Sequence, residues 1–173
     1  WKLYPEFFKM IDKRLMAAND NVASIALKGT IESKKFVEPK AGWVKASLVD
    51  LRVSPRGERK RQLQYGTEIE IFEQRRSHSF VQCKKDGYVG YVLNSSLRHI
   101  IIPATQQVVA PLCHVQEAPD IKSKNLMQLT MGANIHLSDE TETFVNIREG
   151  WIYKSAITPK TEIPQDPVQV ASR

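Results

Sequence analysis

The chain repeats itself, and that limits its fold more than any other feature. Gly66-Thr67-Glu68-Ile69-Glu70-Ile71, Phe80-Val81 and Gly90-Tyr91-Val92-Leu93-Asn94-Ser95-Ser96-Leu97 recur as Gly132-Ala133-Asn134-Ile135-His136-Leu137, Phe144-Val145 and Gly150-Trp151-Ile152-Tyr153-Lys154-Ser155-Ala156-Ile157. A matching opening precedes each copy, Leu51-Arg52-Val53-Ser54-Pro55 against Val115-Gln116-Glu117-Ala118-Pro119. A repeat of this kind means one supersecondary unit used twice. At roughly sixty residues each, the copies sit near the lower size limit for a single core. Alternation such as Glu68-Ile69-Glu70-Ile71 marks half-buried strands. The expectation is therefore two small β modules, a type that serves recognition and docking.

Several strands can be placed. Val44 to Leu51 reads as an opening strand, followed by a turn at Ser54-Pro55-Arg56-Gly57 and a long polar loop reaching Leu63. Phe80 to Cys83 and Tyr88 to Val92 flank Lys85-Asp86-Gly87, an Asp-Gly turn that needs positive φ. Ser95-Ser96-Leu97 predicts a single helical turn. In the second copy, Phe144 to Gly150 is shorter than Phe80 to Gly90, so the last hairpin loses residues at Arg148-Glu149-Gly150. Loop shortening is what duplicated modules tolerate best.

Residues 1–43 match neither copy. Phe7, Phe8, Ile11 and Leu15 recur at helical spacing over residues 5–16, and Ala23 to Leu27 predicts a second brief helix stopped by Gly29. This region reads as an arm on the first module. The domains expected are 1–43 (arm), 44–102 and 103–158 (modules), and 159–173 (linker). Pro159, Pro164 and Pro167 give the last its linker composition. Asp166-Pro167 then reads as the cap and first position of a helix.

Composition narrows the chemistry. The net charge of +6 favours acidic partners only weakly. No run approaches the ~18 apolar residues of a membrane helix, so no membrane partner is expected. Cys83 and Cys113 lie too far apart for metal or redox spacing. They read as two inert thiols in preference to a disulfide. No metal and no cofactor is expected. The chain opens on Trp1 and not on methionine, so its start is expected to lie further upstream, and the sequence does not separate cytoplasm from cell envelope.

The pattern Leu-Arg-x-Ser-Pro, then Gly-x-x-Ile-x-Ile/Leu, then Gly-Tyr/Trp-Val/Ile resembles the bacterial SH3-type domain. The first copy fits through Asp50-Leu51-Arg52-Val53-Ser54-Pro55 and Gly87-Tyr88-Val89-Gly90-Tyr91-Val92. The second departs at Cys113-His114-Val115-Gln116-Glu117-Ala118-Pro119 and fits again at its close. Two such domains followed by Asp166-Pro167-Val168-Gln169-Val170-Ala171 resemble the front part of an NlpC/p60 family cysteine peptidase, of the type that cleaves γ-D-glutamyl–diamino acid bonds in cell-wall peptides. The resemblance covers about residues 44–173. It implies an all-β chain of two tandem SH3-like barrels with a short, partly helical N-terminal arm. It also implies a cell-wall peptide as ligand and a C-terminal peptidase domain as partner, absent from these residues. The family's Asp-Cys-Ser-Gly nucleophile segment does not occur, so no catalytic residue is carried over. The role implied is substrate gating and targeting, and the opening stretch, with Asp50, Arg52, Ser54 and Arg56, is the expected substrate-contact region.

Competing readings concern the remaining polar groups. A Cys–His pair would need a histidine within hydrogen-bond reach of a thiol. His78, His99, His114 and His136 read instead as scattered surface or loop residues. His114 should point away from Cys113, its strand neighbour, and His136 should point outward. Arg56, Arg59, Lys60 and Arg61 form a basic cluster in a loop that carries no aromatic residue for base stacking, so nucleic acid is not the expected partner. Tyr65, Tyr88, Tyr91, Trp151 and Tyr153 would suit an aromatic groove, but read better as packing groups. The competing function is a stand-alone tandem SH3-like scaffold or nucleic-acid-binding protein, and whatever follows Arg173 separates the two.

Overall fold

The structure is a computed structural model describing residues 12–99 and 103–163. It is nearly all β. Chain contacts divide it into two compact units, Trp1–Leu63 with Thr67–Ile101 and Gln64–Gly66 with Ile102–Arg173.

The first unit begins with β1 (Ala23–Ser24) and β2 (Phe36–Val37), paired in parallel. Then come β3 (Lys40–Val44), β4 (Leu48–Arg52), β5 (Arg59–Gln64), β6 (Glu68–Gln74), β7 (His78–Cys83), β8 (Val89–Leu93) and β9 (Leu97–Arg98). They form one sheet in the order β5-β4-β8-β7-β6-β3-β9. Inward positions alternate along the strands and meet in one core: Val44, Val49, Leu51, Leu63, Ile69, Ile71, Val81, Cys83, Val92 and Leu97. Asp86 and Gly87 turn the β7–β8 hairpin, with Gly87 at φ +74° as the Asp-Gly signal requires. A 3-10 turn at Asn94–Ser96 closes the unit, matching the helical turn expected there.

The arm explains an irregularity in this pattern. Ser79, Phe80 and Val81 are all buried, although alternation should leave Phe80 on the solvent side. Ala17 and Val22 cover it, packing with Phe72, Phe80 and Val89 in a second apolar cluster. Val89 donates its amide to the Arg14 carbonyl at 2.8 Å, and the Gln82 side chain donates to the Leu15 carbonyl at 2.9 Å. Backbone pairing and apolar cover together hold the arm on the sheet.

The second unit has β10 (Gln106–Val108), β11 (Leu112–Gln116), β12 (Asn125–Thr130), β13 (Asn134–Ile135), β14 (Asp139–Glu140), β15 (Phe144–Asn146), β16 (Trp151–Tyr153) and β17 (Ile157–Pro159). They form two sheets, ordered β12-β11-β16-β15-β14 and β13-β10-β17. The pairing logic matches the first unit. β11 lies between β12 and β16 as β4 lies between β5 and β8, and β10 lies between β13 and β17 as β3 lies between β6 and β9. The core includes Val108, Val115, Leu129, Ile135, Val145, Ile147 and Ile152. Tyr65, wholly buried, donates to the Ile147 carbonyl at 3.1 Å within this unit, so it is a packing group.

A glycine is needed at the same place in both units. A Cβ at Gly90 would lie 2.6 Å from the Arg52 carbonyl oxygen, and one at Gly150 would lie 2.4 Å from that of Gln116. Each glycine lets the closing strand approach the opening one.

The structure corrects the sequence reading at four points. The opening strand is broken: β3 ends at Val44 and β4 starts at Leu48, because the chain leaves β6 and β9 to pair with β5 and β8. The polar stretch before Leu63 is a strand from Arg59 onward. Its turn is short, closed by the Val53 amide on the Glu58 carbonyl at 3.0 Å. Ala23 belongs to β1, and only Ile25–Leu27 forms a helical (3-10) turn, before Gly29 at φ +85°. His136 is buried and does not face outward, because β13 ends at Ile135 and with it the pleat that would alternate side chains. The helical spacing of Phe7, Phe8 and Ile11 and the cap at Asp166 lie outside the described residues. Residues 12–15 form a turn.

Candidate functional site

On the first unit an open cleft of about 270 Å³ is lined by Leu48, Val49, Asp50, Arg52, His78, Leu93 and Ser96. β4 and β8 pair at Arg52 and Tyr91. The cleft lies past this point, between the Leu48 end of β4 and the Leu93 end of β8. Val49 is buried at its base, whereas Leu48 and Leu93 are exposed. His78 starts β7, and Ser96 ends the closing 3-10 turn.

An ion pair dominates the polar wall. The Arg52 guanidinium donates to the Asp50 carboxylate at 2.5 Å and to the Gly57 carbonyl at 3.0 Å. It thereby holds the turn after β4 against the strand. The Gln62 side chain also donates to Asp50, at 3.3 Å, and Arg59 stands 3.8 Å from the same carboxylate. Arg59 and Gln62 reach Asp50 only because residues 59–64 form a strand beside β4.

Of the four expected contact residues, the structure brings Asp50 and Arg52 together in the cleft. Ser54 and Arg56 are exposed on the turn and do not line it. His78, Ser96, Leu48 and Leu93 were not singled out as contact residues. Ser96 carried a signal, since it lies in the repeated Gly-Tyr-Val-Leu-Asn-Ser-Ser-Leu segment. His78 carried none.

Three further basic residues of this unit meet carboxylates. Arg61 pairs with Asp86, Arg75 with Glu73 at 3.1 Å, and Lys84 with Glu68 at 3.4 Å. Arg61 also stacks 3.9 Å from the centre of the Tyr88 ring, so an aromatic group does meet the basic strand, as its packing partner. Tyr91 packs on Phe80 and Tyr153 on Phe144, with ring centres 5.4 and 4.3 Å apart.

The thiols are held in their neutral form. Both are free and buried, and burial pushes Cys83 up and Cys113 up to about 11. A nucleophilic cysteine needs the opposite environment. His114, exposed beside buried Cys113, hydrogen-bonds Asn125 at 2.7 Å. Among the described residues no group of three or more His, Cys, Asp or Glu side chains could hold a metal ion. Among them, too, no helix is long and apolar enough to cross a membrane.

Residues 51–97 match the family described as the bacterial dipeptidyl-peptidase SH3 domain. No curated protein sequence matches the chain. Among solved structures, an NlpC/P60 family protein from Bacillus cereus ATCC 10987 is similar at a TM-score of 0.54 and 13% identity, over 76% of this chain and 62% of that one. NlpC1 from Trichomonas vaginalis has a TM-score of 0.34 at 14% identity, over 91% of this chain and 54% of its own. NlpC2 from the same organism has 0.32 at 14%, over 73% and 50%. This chain therefore spans less than two thirds of the length of each. At such identity the Bacillus cereus likeness speaks for the fold. The matched stretch runs from within β4 to the start of β9 and so takes in Arg52, His78, Leu93 and Ser96 of the cleft: over residues 51–97 the chain is similar to the bacterial SH3-type domain.

Proposed function

We propose that this chain is the non-catalytic, substrate-gating and targeting part of a cell-wall peptide hydrolase of the NlpC/p60 type. The first unit contacts the wall peptide through β4 and the turn that follows, from Asp50 to Arg56. Bond cleavage belongs to a peptidase domain of the same protein. The observation that carries this reading is that the SH3-type match at residues 51–97 takes in Arg52, His78, Leu93 and Ser96 of the cleft, where Arg52 pairs with Asp50 just ahead of the match. The neutral, buried thiols fit a part that performs no thiol chemistry. Carboxylate pairing of Arg61, Arg75 and Lys84 favours this reading over nucleic-acid binding, which needs cations available to phosphates.

The test is an amide NMR titration of the chain with L-Ala-γ-D-Glu-meso-diaminopimelate. Shifts concentrated on residues 48–56, 78 and 96 are expected, with no turnover of the peptide. Binding to an oligonucleotide that persists at raised salt, with no response to the peptide, would refute the proposal.

A further inference from the structure

No further inference is drawn: the strongest candidate, the largely apolar groove of about 320 Å³ on the first unit, walled by Leu15, Met16 and Ala17 of the arm, Leu27 and Ile31 beyond it and Gln82 of β7, carries nothing because nothing in the structure shows what covers it.

Discussion

The Arg61 guanidinium lies 3.9 Å from the centre of the Tyr88 ring while pairing with Asp86, two residues before that tyrosine. One side chain thus ties β5 to the β7–β8 hairpin. Arg14 of the arm approaches the same ring at 5.7 Å, and the Arg14 carbonyl accepts the Val89 amide. Tyr88 is therefore a shared anchor for arm, strand and hairpin. Cation–π contacts at such partly exposed sites stabilise by about 0.5–1 kcal/mol, and exposed ion pairs add little. Arg61→Ala should lower unfolding stability by about 1 kcal/mol, and Arg61→Lys by less. Urea denaturation measures both, and an unchanged midpoint for Arg61→Ala would remove this anchor.

Gly90→Ala tests the close approach of β8 to β4. The added Cβ meets the Arg52 carbonyl oxygen at 2.6 Å and the Leu51 side chain at 2.8 Å, so backbone must shift. Overpacking of this kind costs roughly 1–3 kcal/mol. The variant should melt lower and, because Arg52 moves with its strand, should also bind wall peptide less well. A wild-type melting temperature would show that the sheet absorbs the methyl group.

Cys113 should resist thiol reagents in the folded protein. Burial favours its neutral form and raises it from 9.0 to about 11. A group raised on folding contributes stability that is complete below pH 9 and lost as pH climbs towards 11. Labelling with a thiol-reactive probe at pH 8 should therefore be slow for native protein and fast in denaturant. Rapid native labelling of Cys113 would contradict its burial.

Asp12 should titrate unusually low. The Arg14 side chain, donating to both carboxylate oxygens at 2.9 Å, brings it from 3.8 to about 2. The Arg14 amide adds a hydrogen bond. The sign follows: this interaction is intact above pH 4 and is lost as pH falls through about 2. Carbon-detected NMR of the carboxyl group reads the midpoint directly. A value near 3.8 would mean that the Asp12–Arg14 pair does not persist in solution.

Legibility differed by physical cause. Alternation such as Glu68-Ile69-Glu70-Ile71 reports one buried face, and Ile69 and Ile71 are indeed core groups. The Asp86-Gly87 turn was readable because positive φ leaves few residue choices. Arg59 to Arg61 defeated the same logic, since a strand rich in arginine has no apolar alternation to declare it. Phe80 misleads in the other direction, as it is buried by the arm and not by its own sheet. His136 failed where a two-residue strand ends, because periodicity has no meaning past the last paired residue.

The repeat, with its glycines, alternating strands and SH3-type motifs, determined by sequence alone that this chain would build small β units. Those signals are local: a φ value, a buried face or a turn is settled within a few residues. The cleft was decided by tertiary structure. Asp50 meets Gln62 and Arg59 across a strand pair, and His78 from β7 and Ser96 from the closing 3-10 turn line the same cleft as Arg52. Such convergence depends on register between distant segments, and no spacing along the chain encodes it.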